Sequence, residues 1–131
     1  YRLGDSRFDW YAEQAGRPVL VEVKGCTLEN DGFARFPDAP TERGLKHVRE
    51  LTALAGKGYR CCVLIVLQFK GARAFGPNWA TQPAFGEALA AAAAAGVEVR
   101  AMDCIVTPEA MVLDAPVPIR WERPDEKENR T

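Results

Sequence analysis

Histidine is almost absent from this chain of 131 residues, which has only one, His47, beside four cysteines. No two of the cysteines have the C-x-x-C spacing, whereas a standard structural zinc site combines several Cys and His ligands at such spacings. The sequence therefore argues against a zinc site. Cys61 and Cys62 are neighbours in an apolar stretch. We expect buried free thiols, which suit a reducing cytoplasm.

Long apolar runs and an excess of one charge are also missing. A membrane-spanning helix needs roughly 18 or more consecutive apolar residues. The longest apolar run, 88–95, is too short, so we expect no membrane segment. Seventeen Lys and Arg residues against 18 Asp and Glu give a net charge of −1. This balance argues against a globally basic nucleic-acid-binding protein, although a local basic patch remains open. The hydrophobic fraction of 47% suits one domain with a single core.

The most informative feature present is a predicted β-hairpin near the N-terminus, in which apolar and polar residues alternate. A turn at Ala15 and Gly16 would place Asp9 opposite Glu22, whereas a turn one residue later would place Asp9 opposite Lys24. Strand side chains switch faces at every residue, so Asp9, Glu22 and Lys24 share one face in either register. The expected core face is the other one, which carries Phe8, Trp10, Val19, Val21 and Val23.

Two interpretations fit the charged face. Directly opposed carboxylates repel each other. A divalent cation between them would attract both and make the arrangement favourable, since Mg²⁺ binds carboxylate oxygens together with water and phosphate. A lysine beside them could then hold an attacking water or stabilise the charge on a phosphate. The alternative is an ordinary solvent-exposed face, on which Glu22 and Lys24 form an ion pair worth about 0–1 kcal/mol.

The first predicted helix begins near Pro40 or Thr41 and has two distinct sides. Its apolar stripe consists of Leu45, Val48 and Leu51. On the opposite side, Arg43, Lys46 and His47 are three and four residues apart and therefore form one basic cluster. This cluster could contact phosphate, or it could be a solvated helix face.

The remaining segments predict an α/β fold with a mixed central sheet flanked by helices. They are a central strand at 60–69, a second helix at 83–95 and a strand at 97–106, with loops at 25–40 and 70–82. Gln68 lies near the end of the central strand, where binding residues emerge in α/β sheets. The charged residues 122–131 are expected to form a disordered tail.

Five segments carry a resemblance to a known family. They are Ser6-Arg7-Phe8-Asp9-Trp10, Val21-Glu22-Val23-Lys24, the run from Ala34 to His47, Phe75-Gly76-Pro77-Asn78 and Gly96-Val97-Glu98-Val99. The run Phe36-Pro37-Asp38-Ala39-Pro40-Thr41-Glu42-Arg43-Gly44-Leu45-Lys46-His47 is the most specific of them. Together they resemble the sugar fermentation stimulation protein family.

This resemblance implies a PD-(D/E)xK nuclease-like domain over residues 1–121, which corresponds to the C-terminal domain of the family without its N-terminal OB-like domain. The first acid of the nuclease pattern falls on Asp9, and its acid-x-Lys pair falls on Glu22 and Lys24. The resemblance therefore implies catalytic roles for these three residues. It also implies that Asp9 and Glu22 bind Mg²⁺ or Mn²⁺.

The family is described as DNA-binding and as linked to the regulation of sugar metabolism. The resemblance thus implies a cytoplasmic DNA-binding protein with a nuclease-like metal site, and the alternative is an active Mg²⁺-dependent nuclease acting on DNA or RNA. Whether the protein forms a homo-oligomer stays open. The expected contacts to nucleic acid come from Arg43, Lys46 and His47, with accessory roles for Arg7, Asp38, Thr41 and Gln68. The chain departs from the family pattern at Phe69, Lys70, Gly71 and Gln82.

Overall fold

The computed structural model describes the backbone at residues 2–3, 6–7 and 10–123, and the side chains from 15 to 123. Asp9 and residues 124–131, which make up most of the predicted tail, lie outside these ranges. The described strands are β1 (Arg2–Leu3), β2 (Ser6–Arg7), β3 (Trp10–Gln14), β4 (Arg17–Cys26), β5 (Glu29–Asn30), β6 (Phe33–Phe36), β7 (Arg60–Leu67), β8 (Ala74–Pro77), β9 (Glu98–Val106) and β10 (Met111–Val117). The described helices are α1 (Glu42–Ala55) and α2 (Pro83–Ala94). Neither helix is long and apolar enough to cross a membrane.

A mixed sheet of five strands, in the order β10-β9-β7-β4-β3, forms the centre of the fold. The inner strands β4, β7 and β9 are parallel, and the outer strands β3 and β10 pair antiparallel with their neighbours. Parallel neighbours need a crossover connection, and α1 and α2 supply the two crossovers, β4 to β7 and β7 to β9. The helices contact each other and the sheet. This architecture confirms the predicted mixed α/β fold.

The hairpin formed by β3 and β4 has the first of the two predicted registers. Gln14 pairs with Arg17, so Ala15 and Gly16 form a two-residue turn. Both turn residues have positive φ angles, as a type I′ turn requires. Asp9 precedes the described part of this hairpin, and its pairing therefore stays a prediction.

The core face predicted for β4 is wrong, and the side chains of Phe8 and Trp10 lie outside the described residues. The buried side chains of β4 are Leu20, Glu22 and Cys26, whereas Val23 on the other face is 39% exposed. Both faces of β4 carry apolar residues, so alternation alone does not identify the face that the helices cover. Because α1 and α2 pack on the side of Leu20, Glu22 lies inside the helix-covered layer instead of on an open surface.

Two segments that were predicted as loops contain strands of a second, smaller sheet. Strand β6 pairs antiparallel with β5 and parallel with β8. The parallel partners are far apart in the sequence, so local turn signals do not reveal the pairing. The segment after β10 joins the same sheet, because Ile119 forms a parallel bridge with Phe75. Strand β10 itself lies in a region for which no strand was predicted.

All four cysteines are free thiols, as predicted. Cys26, Cys61 and Cys104 are buried and Cys62 is half-buried. Burial raises the pKa of the Cys26 and Cys61 thiols to about 11. Both thiols therefore stay protonated at neutral pH and behave as small apolar groups of the core.

Thr41 caps α1 and is itself held by Gln82. The Oγ1 atom of Thr41 accepts a hydrogen bond from the backbone N–H of Gly44 at 3.0 Å, which confirms the predicted helix start. The side chain of Gln82 accepts the backbone N–H of Thr41 at 2.9 Å and donates to the Thr41 carbonyl at 3.3 Å. Because Gln82 directly precedes α2, this pair of hydrogen bonds fixes the start of α1 to the start of α2.

Replacing Gln82 with alanine is expected to lower the free energy of unfolding by about 1–3 kcal/mol, because two partly buried backbone groups of Thr41 lose their partner. Urea-induced unfolding followed by circular dichroism measures the change. Gln68→Ala is the matched control, since the Gln68 side chain is exposed, and it should change stability by less than about 0.5 kcal/mol. Equal losses in both variants would contradict the role assigned to Gln82.

Candidate functional site

Glu22 is a buried carboxylate in the middle of β4, with a side chain that is 3% exposed. Its Oε2 atom accepts a hydrogen bond from Lys24 Nζ at 2.8 Å and lies 2.5 Å from His47 Nδ1. Its Oε1 atom is buried and has no hydrogen-bond partner among the described residues. Oε2 therefore takes part in two contacts, while no described residue donates a hydrogen bond to Oε1.

Strand alternation brings Glu22 and Lys24 to the same face, because they are two residues apart in β4. The neighbouring strand β7 places Val63 beside Glu22 and Ile65 beside Lys24. Both of these residues are fully buried. The ion pair thus lies next to an apolar surface, where water screens the attraction between charges less than it does on an open surface.

His47 reaches the site from α1. The buried residues of this helix are Gly44, Leu45, His47, Val48 and Leu51, which have the spacing of a single helical face. The His47 side chain belongs to that face and is 8% exposed. An ionised carboxylate only accepts hydrogen bonds, so the Nδ1–H group of His47 donates to Glu22 Oε2.

The expectation that His47 lies on a solvent-facing basic cluster is wrong. Arg43 and Lys46 are exposed, whereas His47 is buried. The apolar stripe of α1 is wide enough to include the position next to Val48, so His47 points towards the sheet. Lys46 lies 3.7 Å from Glu50 in an exposed pair of low energy. Contact with nucleic acid stays a prediction for Arg43 and Lys46.

The predicted accessory residues do not bond to Glu22 in the described part of the chain. Thr41 serves as the cap of α1, and Asp38 is exposed in the segment between β6 and α1. The Nε2 atom of Gln68 lies 2.8 Å from the position that a Cβ atom at Gly25 would occupy. Gly25 follows Lys24, so Gln68 is on the opposite face of β4. The side chain of Arg7 lies outside the described residues.

A second polar cluster, which was not predicted from the sequence, lies around Lys70. Lys70 Nζ donates to Asp103 Oδ1 at 3.0 Å and to Asp114 Oδ2, and the backbone N–H of Ala115 also donates to Asp103. Burial by itself would raise the pKa of Asp103, but the hydrogen bonds from Lys70 and Ala115 outweigh it and hold that pKa below its usual value. The cluster joins the segment after β7 to β9 and β10. The sequence feature that indicates this cluster is Asp103, an aspartate at a buried position of β9.

Glu22 suits a divalent cation. A buried acceptor without a donor costs about 1–3 kcal/mol, and more when it is charged, whereas hard cations such as Mg²⁺ bind carboxylate oxygens. Across the described side chains, no three His, Cys, Asp or Glu residues come together as a metal-binding group. The second predicted carboxylate, Asp9, is not among them. The unsatisfied Oε1 atom is therefore the described feature that fits a metal ligand.

Comparison with known proteins identifies the family. The sequence profile of the "Sugar fermentation stimulation protein RE domain" matches residues 1–110. The chain belongs to the sugar fermentation stimulation protein family. This confirms the family that the sequence motifs indicated.

Relatives in this family are identical to the chain at about half of the aligned residues. A sugar fermentation stimulation protein homolog from Desulfitobacterium hafniense (strain Y51) is 50% identical over 107 residues, which cover 82% of this chain and 47% of that protein. A homolog from Desulforamulus reducens is 46% identical over 118 residues, covering 89% of this chain and 49% of that protein. The chain thus spans about half the length of these relatives.

A solved structure supports the same assignment. It is the structure of SfsA from Pyrococcus furiosus in complex with Ca²⁺, which matches this chain with a TM-score of 0.84 and 29% sequence identity. The match covers 92% of this chain and 52% of that one. The mixed α/β fold described above is therefore shared with the matched half of the Pyrococcus protein.

Removing Lys24 alone is expected to destabilise the protein more than removing both partners of the ion pair. Lys24→Met leaves the buried Glu22 carboxylate with one donor fewer, so the free energy of unfolding should fall by about 3 kcal/mol. The double variant Glu22→Gln/Lys24→Met removes both charges and should recover much of that loss. Urea-induced unfolding of the two variants and of Glu22→Gln completes the double-mutant cycle.

Lys46→Met is the control for this cycle, because Lys46 belongs to an exposed ion pair and should change stability by less than about 0.5 kcal/mol. Additive effects of Glu22→Gln and Lys24→Met would show that the buried pair does not act as a unit.

Proposed function

We propose that the chain binds nucleic acid and uses a divalent cation at Glu22 to hydrolyse the phosphodiester backbone. The observation that carries this proposal is the buried carboxylate of Glu22, whose Oε1 atom is unsatisfied beside a lysine ammonium group. A site built only for stability would not leave this oxygen without a partner, because well-packed apolar residues are as stable as a buried ion pair or more so.

Each residue of the candidate site has a distinct role in this proposal. Glu22 and Asp9 hold a Mg²⁺ or Mn²⁺ ion, which stabilises the negative charge that builds up on the phosphate. Lys24 balances the negative charge of the Glu22 carboxylate through the 2.8 Å contact between Nζ and Oε2. Its ammonium group, which is 15% exposed, also orients the attacking water next to the scissile phosphate.

Two further observations support a cation and this class of site. The Pyrococcus furiosus relative was solved in complex with Ca²⁺, and Ca²⁺ and Mg²⁺ share the preference for oxygen ligands. The acid-x-Lys pair on an inner strand of a mixed sheet, with a helix packed over it, also resembles the PD-(D/E)xK nuclease arrangement. This resemblance assigns the second carboxylate to Asp9.

Cleavage of DNA or RNA by the purified chain should depend on Mg²⁺ or Mn²⁺ and should stop in EDTA. Glu22→Gln and Asp9→Asn are expected to lower the cleavage rate by at least about 100-fold, because each removes a charged ligand of the cation. Lys24→Ala should lower it by a similar factor. Gel electrophoresis of end-labelled single- and double-stranded substrates measures the rates.

The control for Lys24→Ala is Lys57→Ala, which removes an exposed ammonium group beyond the end of α1 and should leave the rate unchanged. Cleavage that persists undiminished in Glu22→Gln would point to a contaminating nuclease and would refute the assignment of the site.

A second candidate function is DNA binding without turnover, by a regulator linked to sugar metabolism. It is favoured by the two basic side chains Arg43 and Lys46, which are exposed on the outer side of α1. Such side chains contact phosphates directly and need no cation. Binding of this kind would survive in EDTA and weaken with salt.

The cleavage assay above decides whether the chain hydrolyses nucleic acid, and the salt dependence of binding in EDTA tests whether Arg43 and Lys46 contact the phosphates. Affinity for a short DNA duplex should fall linearly on a plot of log K against log salt concentration, with a slope of about −0.9 for each phosphate contacted. Arg43→Ala/Lys46→Ala should make the slope shallower by about 2, because two contacts are lost. Fluorescence anisotropy measures the affinity, and a slope that stays the same would exclude these residues from the contact.

A further inference from the structure

His47 occupies a buried position that differs from that of every other basic residue on α1. Its side chain is 8% exposed and contacts the carboxylate of Glu22, whereas Arg43, Lys46 and Arg49 are exposed. A histidine that contacts phosphate would have to face the solvent. His47 instead faces the sheet, so its role has to be sought in what it does to Glu22.

We propose that His47 is the positioning residue that fixes the plane of the Glu22 carboxylate, so that the oxygen it does not bond faces the divalent cation. This inference rests on the proposed function of the site. The terminal torsion of a glutamate side chain is broad, so the carboxylate plane can turn unless a neighbour holds one of its oxygens. The hydrogen bond from His47 Nδ1 to Oε2, at 2.5 Å, holds that oxygen and leaves Oε1 for the cation.

Lys24 alone does not fix this orientation. Its ammonium group is a compact charge on a flexible stem, so it follows the carboxylate when the plane turns. The imidazole ring of His47 lies on the buried face of its helix and has a fixed donor direction. The 2.5 Å contact is therefore the constraint that stops the carboxylate plane from turning, and Lys24 donates to the same oxygen.

The helix that carries His47 is well fixed at this point. Gly44, one turn before His47, is so close to its surroundings that a Cβ atom there would lie 2.9 Å from Thr41 Cγ2 and 3.5 Å from Phe85 Cε2. Val48 and Leu51 on the same helix face are fully buried. The double hydrogen bond between Gln82 and Thr41 further joins α1 to α2. The donor position is thus set by the core rather than by the cation.

This role differs measurably from contact with phosphate. A positioning residue controls the affinity for the cation in the absence of nucleic acid, since it acts through Glu22. A residue that contacts phosphate would leave that affinity unchanged and would weaken nucleic-acid binding in EDTA. Mn²⁺ alone is therefore the appropriate probe, with electron paramagnetic resonance to measure the free ion.

The experiment compares three substitutions of His47 in the whole chain. His47→Ala should weaken Mn²⁺ binding by about 10–100-fold, the usual effect of losing a residue that orients a metal ligand. His47→Asn should stay within about 3-fold of the original chain, because the Asn amide N–H lies near the place of Nδ1. His47→Gln should bind as weakly as His47→Ala, because its amide lies near the place of Nε2.

Controls separate the failure of this inference from the failure of the proposed function. Arg49→Ala, on the exposed side of α1, should bind Mn²⁺ like the original chain. If the original chain binds no Mn²⁺, the proposed function is wrong and this inference falls with it. If the original chain binds Mn²⁺ and His47→Ala binds equally well, only the positioning role is overturned.

Circular dichroism shows whether the alanine variant folds. If it does not, the comparison of His47→Asn with His47→Gln still tests the positioning role of His47. Tighter binding by the asparagine variant supports the positioning role. Equal binding by the two variants overturns it, because the position of the donor would then have no effect on the cation.

Discussion

The hydrogen bonds that converge on Glu22 Oε2 are the interaction on which the site depends. Glu22 lies on the face of β4 that α1 and α2 cover, where a charged group is stable only if it has close partners. Lys24 supplies the opposite charge from the same strand, and His47 supplies a directed donor from the helix above. The site is therefore shared between the sheet and α1, so the position of the helix matters as much as the sequence of the strand.

The interface between the two helices provides that position. The start of α1 is bonded to the start of α2 through Thr41 and Gln82, and Phe36 packs on Phe85 with 5.4 Å between ring centroids. A shift of α1 along the sheet would break the hydrogen bonds between Thr41 and Gln82 as well as the contact between His47 and Glu22. The Gln82 side chain makes no capping bond to its own helix and bonds to the start of the neighbouring helix.

The sequence predicted the architecture well, for local reasons. Hydrophobic periodicity located both helices and the strands β4, β7 and β9. One of the two predicted hairpin registers, with the turn at Ala15-Gly16, is the observed one. Two features depended on long-range packing and were missed. The pairing of β6 with β8 joins distant segments, and the choice of the covered face of β4 depends on where the helices pack. Because that choice was wrong, Glu22 was expected on an outer face. His47 was expected on a solvated face for a separate reason, since the buried face of α1 is wider than the stripe of Leu45, Val48 and Leu51.

The unexpected burial of Glu22 is itself an indication of function. Local patterning and the fold disagree at Glu22 and Lys24, where a strand places a carboxylate and an ammonium group under two helices. Such disagreements are expected at functional sites, since apolar residues of similar size would hold the same layer together without the desolvation of two charges. The lack of a hydrogen-bond partner for Oε1 among the described side chains adds to this penalty. The arrangement is therefore better explained by a ligand that bonds to Oε1 than by stability, and a hard cation is the ligand that the oxygen and its neighbours suit.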